Sequence, residues 1–540
     1  MADSFVIRTI EKVDKRIRMC FISAILCGLM AHIFVLTNHL YNYDELWHIP
    51  TGFGTGIQEG RWGLSCMAWL TKVLFDDVYT ISMINGLITI IMYAILACLV
   101  VYIFGISQCS YSCIIGALIT VFPSVVCRMF YMYTSHYYAI AEVIAASAVF
   151  VFVKWEKKTV PYVVSILMLS FATAIYQATF VTATCIVVGK LLNDMLINNY
   201  KLKSLILKVI NYVVFLAASI ASYILLNKAA LSISGMELGN YGEDYGTIGQ
   251  ISVQQLLVAL ERCYKNFLKA GFKDVYAMNP NIIVKFAFLL CTVTIAYVCI
   301  RMILKKSSVY QKAFFIITIA VLPVAVNLVY IMAATTGLIY SIMTFDMVFM
   351  LIIPISMIDT ISSVPVIDEG ISEIKKKHIN RTDLFMNGIL LITLVLTVWT
   401  YIWFANGNYL AVKYTNEHDN AYYQTLMTQI KSVEGYNADM PVATIGIPVA
   451  DSTYTRQDMI GRTFNLAGKA STNIGVYSSW NIMTRVLGYD PTLRNSDEEE
   501  KYFRGLDEVK DMPCYPSSGS IKIIDDTIVI KFQEPSELVN

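Results

Sequence analysis

The chain has 540 residues, of which 56% are hydrophobic and only 15% are charged, and its mean hydropathy is +0.57. A soluble chain must cover its surface with polar groups, so this excess of apolar residues excludes a soluble globular protein and indicates a membrane protein. The formal net charge of +1 at pH 7 gives no sign of the basic surface that nucleic acids require, and we expect no nucleic-acid partner.

Eleven segments are apolar enough to be candidate transmembrane helices, since a spanning helix needs roughly 20 mostly apolar residues. The first follows a basic stretch and has no small-residue cleavage site after it, so we predict a retained anchor rather than a signal peptide. The segments are 19–38, 80–104, 111–127, 139–153, 160–175, 179–196, 206–227, 281–304, 313–334, 338–358 and 385–404. The pattern predicts an all-α polytopic membrane protein.

The predicted first outside loop, residues 39–79, carries the densest polar chemistry. Asp44 and Glu45 follow the first helix closely, where a carboxylate can act as a general base near the bilayer surface. A solvated acidic turn is an equally good interpretation of such a pair. Arg61 is suited to bidentate contact with phosphate, although an arginine beside a tryptophan such as Trp62 is often a membrane anchor.

The second outside connection, residues 128–138, combines a cation and a histidine with many aromatic residues. Arg128, Tyr133 and His136 fit a pocket for a phosphate and a sugar ring, and an aromatic belt at the membrane interface is the alternative. Glu142 lies one turn beyond this run and belongs to the same candidate pocket. Intramembrane acids by default suggest function.

The third outside segment, residues 228–280, contains a basic stripe. Arg262, Lys265, Lys269 and Lys273 recur at three- and four-residue steps, which places them on one face of a helix predicted from Val253 to Leu268. Such a stripe could hold a lipid phosphate, bind an anionic glycan or dock on anionic headgroups. We count Lys265 and Lys269 among the candidate substrate-binding residues.

Residues 405–540 have the composition of a soluble domain. The pattern predicts a helix over 416–433, a strand over 442–447, a short helix over 476–487 and a hairpin over 521–532. We therefore expect a small C-terminal α/β or α+β domain after a membrane domain that spans residues 1–404.

The distribution of lysine and arginine predicts the orientation. If the N-terminus is cytoplasmic, every basic cluster of the short loops lies inside, as the positive-inside rule demands. These clusters occupy 154–158, 201–208, 301–312 and 375–381. An odd number of crossings then puts the C-terminal domain on the periplasmic or extracellular side of the cytoplasmic membrane.

Several motifs, in this order and on this common side, resemble the Gtr-type (type II) glucosyltransferases of the GT-C superfamily of membrane glycosyltransferases. The motifs are Tyr43-Asp44-Glu45, Gly60-Arg61-Trp62, the aromatic run Arg128 to Tyr138, Tyr515-Pro516, and Gly519 to Lys522 with a closing strand. The family commonly has two aspartates where this chain has Asp44 and Glu45, so either carboxylate is a candidate base.

The resemblance implies the transfer of a hexose, glucose in the family, from a polyisoprenyl-phosphate donor to a surface glycan such as O-antigen, with inversion. A carboxylate would take the acceptor proton while cationic side chains stabilise the leaving phosphate. Expected partners are the donor lipid, the acceptor glycan, membrane lipids, and a synthase and flippase that supply the donor. We expect no cofactor and no metal, because no Cys/His cluster has metal-ligand spacing.

Two other functions remain open from the sequence, a transporter or lipid flippase and a surface-polysaccharide polymerase. A transporter would place polar, Gly/Pro-broken helices near the bilayer midplane, whereas here the polar residues concentrate in outside loops. A polymerase would concentrate its chemistry in large middle loops and needs no distinct C-terminal domain.

Overall fold

The computed structural model describes residues 13–239, 252–276, 278, 281–305, 308–333, 339–363, 381–450 and 472–534. Residues 375–380 of the predicted basic cluster therefore lie outside the described residues.

The chain forms two compact units. The membrane unit contains the chain up to Thr37 and Phe53–Gly407, and the second unit contains Asn38–Gly52 and most of the chain from Asn408 onward. The predicted outside loop 39–79 is thus shared between the two units.

The membrane unit is helical, and each of the eleven predicted segments overlaps a helix. The helices are α1 (Lys15–Thr37), α2 (Trp62–Phe75), α3 (Ser82–Phe104), α4 (Cys109–Val121), α5 (Pro123–Met129), α6 (Met132–Lys154), α7 (Thr159–Ile175), α8 (Thr179–Ile197), α9 (Leu202–Ser234), α10 (Val253–Lys269), α11 (Ile282–Lys305), α12 (Val309–Val326), α13 (Val329–Met332), α14 (Phe349–Ser363) and α15 (Arg381–Lys431). Within the described residues, nine helices are long and apolar enough to cross a membrane, or ten if the bent pair α4 and α5 counts as one span. The predicted polytopic fold class is confirmed.

The segment predicted as one span over 111–127 is broken into α4 and α5, which meet at an angle of 41°. Pro123 occupies the first turn of α5, where its fixed φ suits a helix start and its missing N–H is not needed. The break places Arg128 at the last turn of α5, inside the protein rather than in a loop.

Close helix packing in this unit depends on small residues. A side chain at Gly116 of α4 would place its Cβ 2.5 Å from the carbonyl oxygen of Cys20 in α1, so only glycine permits this approach. His32 of α1 also lies 2.8 Å from the carbonyl oxygen of Thr120. These contacts hold α1 against α4 along most of their length.

Two helices form the interior of the membrane unit. In α8, and in the stretch Phe345–Ser362 that includes most of α14, 89% of the apolar window is buried, against 22% for α9. Polar side chains on α8 and just before α14 are thus withdrawn from lipid. They require partners inside the protein.

The second unit contains a three-stranded sheet, β1 (Val442–Ile445), β2 (Ile521–Ile524) and β3 (Thr527–Lys531), in the order β1-β3-β2. The predicted hairpin is confirmed, with β2 and β3 antiparallel. Asp525 and Asp526 form its turn with φ of 49° and 52°, a conformation that aspartate tolerates well. The parallel pairing of β1 with β3 was not predicted.

The helix predicted over 416–433 is confirmed up to Lys431, but it is not separate from the predicted segment 385–404, because both belong to the single 51-residue helix α15. One other helix prediction for this region was wrong. The predicted helix 476–487 is replaced by turns and one π-helical turn, Ile482–Val486. Two short helices, α16 (Asp497–Gly505) and α17 (Asp507–Lys510), complete this unit.

The core of the second unit contains side chains from both ends of the chain. Tyr41, Leu46 and Ile49 are buried in one cluster with residues of α15 and of the sheet. The α15 residues are Tyr423, Leu426 and Ile430, and the sheet residues include Val442, Ile528 and Ile530. Burial of these apolar side chains fixes the segment 41–49 to the C-terminal unit.

Candidate active site

The acidic pair of the first loop lies in a turn built by Asn42. The side-chain oxygen of Asn42 accepts hydrogen bonds from the backbone N–H groups of Asp44 at 2.9 Å and Glu45 at 2.8 Å. This is the local geometry that asparagine favours in turns. A short 3₁₀ helix, Glu45–Trp47, follows directly.

Helix α15 holds the start of the same segment. The amide of Asn416 accepts a hydrogen bond from the Tyr41 N–H at 3.0 Å and donates one to the Tyr41 carbonyl at 2.9 Å. The Tyr41 hydroxyl donates to Asn420 at 2.7 Å. The backbone leading to Asp44 is therefore fixed by side chains about 375 residues away in the chain.

The two adjacent carboxyl groups have different environments. Glu45 is fully buried, with 0% of its surface exposed, whereas Asp44 is partly exposed. The Tyr477 hydroxyl donates a hydrogen bond to Oδ1 of Asp44. Burial raises the pKa of Asp44 above its usual value, and the Tyr477 hydrogen bond opposes that rise. A carboxylate with a raised pKa is a stronger general base than one in water.

Two aromatic rings pack against Tyr477, the residue that donates to this carboxylate. The Tyr477 and Trp47 rings are nearly parallel, with centroids 6.4 Å apart, and Tyr43 meets Tyr477 edge-on at 6.0 Å. The Arg485 guanidinium donates to the carbonyl oxygen of Trp47 at 2.7 Å. Burial and the nearby Arg485 lower the pKa of His48 to about 4, so this imidazole is neutral at pH 7.

In the membrane unit, the structure brings Arg61 and Arg128 to the ring of Tyr176. Their guanidinium carbons lie 5.7 Å and 5.3 Å from the ring centroid. Tyr176 also stacks on Tyr138 at 4.0 Å, and Arg61 contacts the Tyr138 hydroxyl at 3.4 Å. Arginine–aromatic contacts of this kind stabilise a cation while leaving some of its N–H groups for a ligand.

Arg128 belongs to a buried polar network. Its Nη1 donates to Glu142 at 2.8 Å and also contacts the Tyr93 hydroxyl. The hydroxyl of Thr182, on α8, contacts Glu142 and lies 2.6 Å from the Asp346 carboxyl. Arg128 and Glu142 are 0% exposed and Asp346 is 1% exposed. Pairing is what makes such burial of charge possible.

The two arginines therefore differ in what they can do. Arg128 already neutralises Glu142 in the protein interior, whereas Arg61 is only partly buried. Arg61 forms a long contact of 3.3 Å with Gln177, whose amide donates to the carbonyl of Glu59 at 2.7 Å. Its partial exposure makes Arg61 better placed than the fully buried Arg128 to meet an anion.

Three further predicted site residues lie elsewhere in the membrane unit. Trp62 begins α2 and packs 5.7 Å from Phe171. Tyr133 and His136, both in α6, are 8% and 7% exposed, and His136 packs against the neighbouring Tyr137 ring. The aromatic run that was predicted as an outside connection is thus mostly the buried first turns of a helix.

The predicted helix of the basic stripe is confirmed as α10, which carries Arg262, Lys265 and Lys269 and ends before Lys273. Lys265 pairs with Glu261 on an exposed face, with more than half of each side chain accessible. Lys269 occupies the last turn of the helix. The surroundings of Lys265 therefore differ from those of the buried Arg128.

Several residues that complete these clusters were not predicted. The contact to Asp44 comes from Tyr477, which no local motif marks. Arg485 is equally unmarked by sequence. Tyr176 and Gln177 could have been predicted as site residues, because they lie in the very short connection between the predicted spans 160–175 and 179–196, on the side predicted to be outside.

A comparison with protein families gives one match. The family model described as glucosyl transferase GtrII matches residues 33–351, more than half of the chain. The matched stretch includes Asp44, Arg61 and Arg128 but not Tyr477. No curated protein and no solved structure matches the chain.

Proposed function

We propose that this chain, which belongs to the GtrII family of glucosyl transferases, transfers a hexose from a polyisoprenyl-phosphate donor to a cell-surface glycan. Membership makes the protein a glycosyltransferase, and its apolar helices fit a multi-pass membrane protein. Glucose is the hexose that the family description supports. O-antigen is the type of acceptor that we expect.

In the proposed reaction, Asp44 is the catalytic base. Its carboxylate takes the proton of an acceptor hydroxyl while that oxygen bonds to the anomeric carbon of the donor sugar. The bond from the anomeric carbon to the phosphate oxygen breaks, and polyisoprenyl phosphate leaves with the electron pair. The attack from the opposite face inverts the anomeric configuration.

The observation that carries this assignment is the contrast between the adjacent carboxyl groups. Asp44 is partly exposed and bonded to Tyr477, whereas Glu45 is fully buried. The turn held by Asn42 gives Asp44 a fixed backbone, which a base needs for efficient proton transfer. Glu45 stays the reserve candidate for the base.

We assign Arg61 to the donor phosphate. Its planar guanidinium can meet two phosphate oxygens, and it is only partly buried, beside the Tyr138 hydroxyl and the Gln177 amide. Arg128 supports the same pocket through its own contact with Tyr176. The remaining candidates for substrate binding are Trp62, Tyr133, His136 and Glu142, with Lys265 and Lys269 as weaker candidates for an anionic group.

In the proposed orientation the N-terminus is cytoplasmic, the C-terminal unit is exported and catalysis takes place outside the cytoplasmic membrane. The excess of lysine and arginine in the short loops of one side supports this orientation. A donor made in the cytoplasm must then cross the bilayer, so a synthase and a flippase are required upstream. The proposed reaction uses neither a cofactor nor a metal.

The test is a transfer assay with membranes that contain the full chain. Polyisoprenyl-phosphate glucose and its hexose epimers serve as donors, and an oligosaccharide released from the host's surface polysaccharide serves as acceptor. We expect glycosylated product with at least one donor, and equal product from a control variant, Tyr502→Phe, in the C-terminal unit. Movement of the donor lipid across the bilayer without any glycosylated product would instead identify a flippase.

A further inference from the structure

Two large aromatic side chains are exposed beside the Asp44 carboxyl group. Trp47 is 45% exposed and Tyr477 is 66% exposed, and their rings lie within 13° of parallel. Exposed apolar side chains that cluster, rather than occur singly, commonly mark a binding surface. The pair lies within the C-terminal unit, so its geometry is set by one folded body.

Contacts with polar groups restrain both rings. The Arg485 guanidinium carbon lies 5.8 Å from the Trp47 ring centroid, and Nη1 donates to the carbonyls of Trp47 and Ile49 at 2.7 Å and 3.0 Å. The Tyr477 hydroxyl donates to Asp44, which restrains the second ring. A preorganised pair loses little conformational entropy when a ligand binds.

The chemistry next to the rings identifies the class of ligand. A sugar ring presents C–H bonds on its face and hydroxyls at its edge, so it can stack on an aromatic ring while an edge hydroxyl meets a carboxylate. Asp44 supplies that carboxylate. Tyr477 donates to its Oδ1, and among the residues that the structure describes none donates to Oδ2, so this oxygen can meet a hydroxyl of the ligand. An aromatic anchor for lipid headgroups would need no carboxylate bonded to one of its rings.

We propose that Trp47 and Tyr477 form the subsite on which the acceptor sugar stacks, with its reacting hydroxyl at Oδ2 of Asp44. This inference rests on the proposed function and adds the residues that hold the acceptor. It also gives the C-terminal unit a direct role in the choice of acceptor, since Trp47 and Tyr477 both belong to that unit.

The experiment measures acceptor binding and turnover separately in the full chain, reconstituted in lipid nanodiscs. The probe is the oligosaccharide released from the host's surface polysaccharide. Trp47→Ala and Tyr477→Leu remove one ring each, and Tyr477→Phe keeps the ring without its hydroxyl. Tyr502→Leu is the matched control, because Tyr502 is also exposed and also bonded to an aspartate, Asp525.

We expect Trp47→Ala and Tyr477→Leu to weaken oligosaccharide binding and to raise the acceptor KM by about tenfold, because each variant loses one stacking contact. The donor KM should not change. Tyr502→Leu should match the wild type, and Tyr477→Phe should retain acceptor binding.

Unchanged acceptor binding in both ring-deleted variants would overturn the subsite. Reduced insertion with unchanged acceptor constants would overturn it as well, because the rings would then be membrane anchors. Since binding needs no turnover, oligosaccharide that binds through Trp47 without any transferred sugar would reject the proposed reaction while supporting the subsite.

Discussion

The buried ion pair of the membrane unit gives a prediction whose magnitude follows from its geometry. Arg128 and Glu142 lie 2.8 Å apart and both side chains are 0% exposed. Glu142→Ala leaves the guanidinium inside the protein without its carboxylate. Breaking such a pair by removing one partner costs about 3–5 kcal/mol, mostly because the remaining charge is buried and unpaired.

Two comparison variants separate burial from pairing. Glu142→Gln keeps an oxygen that can accept a hydrogen bond from Arg128, so we expect a smaller loss. The exposed pair Lys265 and Glu261 is the matched control, with 58% and 57% of the side chains accessible. Glu261→Ala should unfold close to the wild-type temperature, because water screens that exposed pair.

The assay is thermal unfolding of the purified full chain in one detergent, followed by size-exclusion chromatography. The expected order of stability is wild type and Glu261→Ala, then Glu142→Gln, then Glu142→Ala. A Glu142→Ala protein that unfolds at the wild-type temperature would refute the argument. In that case the Arg128 charge would have solvent or another partner.

Three further predictions concern the site and the topology. Tyr477→Phe removes the hydrogen bond that opposes the raised pKa of Asp44, so this pKa rises further. The carboxylate is then protonated at a higher pH, and the acid limb of the kcat/KM profile should move to higher pH. Arg61→Lys should raise the donor KM by about tenfold, since lysine cannot reproduce the two-oxygen contact with phosphate, and an unchanged donor KM would remove Arg61 from the pocket. A reporter fused after the C-terminus should behave as exported, and cytoplasmic reporter activity would contradict the orientation.

The sequence was most informative where the determinants are local. Apolar runs of spanning length identified the long membrane helices of the described residues, because a lipid environment forces the backbone to satisfy its own hydrogen bonds. The hairpin at Asp525 and Asp526 was equally predictable, since turn residues and alternating strands lie side by side in the chain. Pro123 even marked the break between α4 and α5, although its segment was interpreted as one span.

The sequence was least informative where distant segments meet. The Asp44 and Tyr477 contact joins residues 433 positions apart, and the Tyr41 and Asn416 contact joins residues 375 apart. No periodicity encodes such pairings, which depend on how the second unit packs its core. The same limit explains why Arg128, predicted as a loop residue, is instead paired with Glu142 inside the protein.

The central claim is that Asp44 is the base of a glycosyl transfer. The most direct measurement is the single-turnover rate of sugar transfer by Asp44→Asn and Glu45→Gln, side by side, with donor binding and membrane insertion verified for each. General-base catalysis is typically worth roughly 100- to 10,000-fold in rate, so Asp44→Asn should lose about that factor while it still binds donor, and Glu45→Gln should retain most of its rate. Near-normal transfer by a well-inserted Asp44→Asn protein would contradict the account.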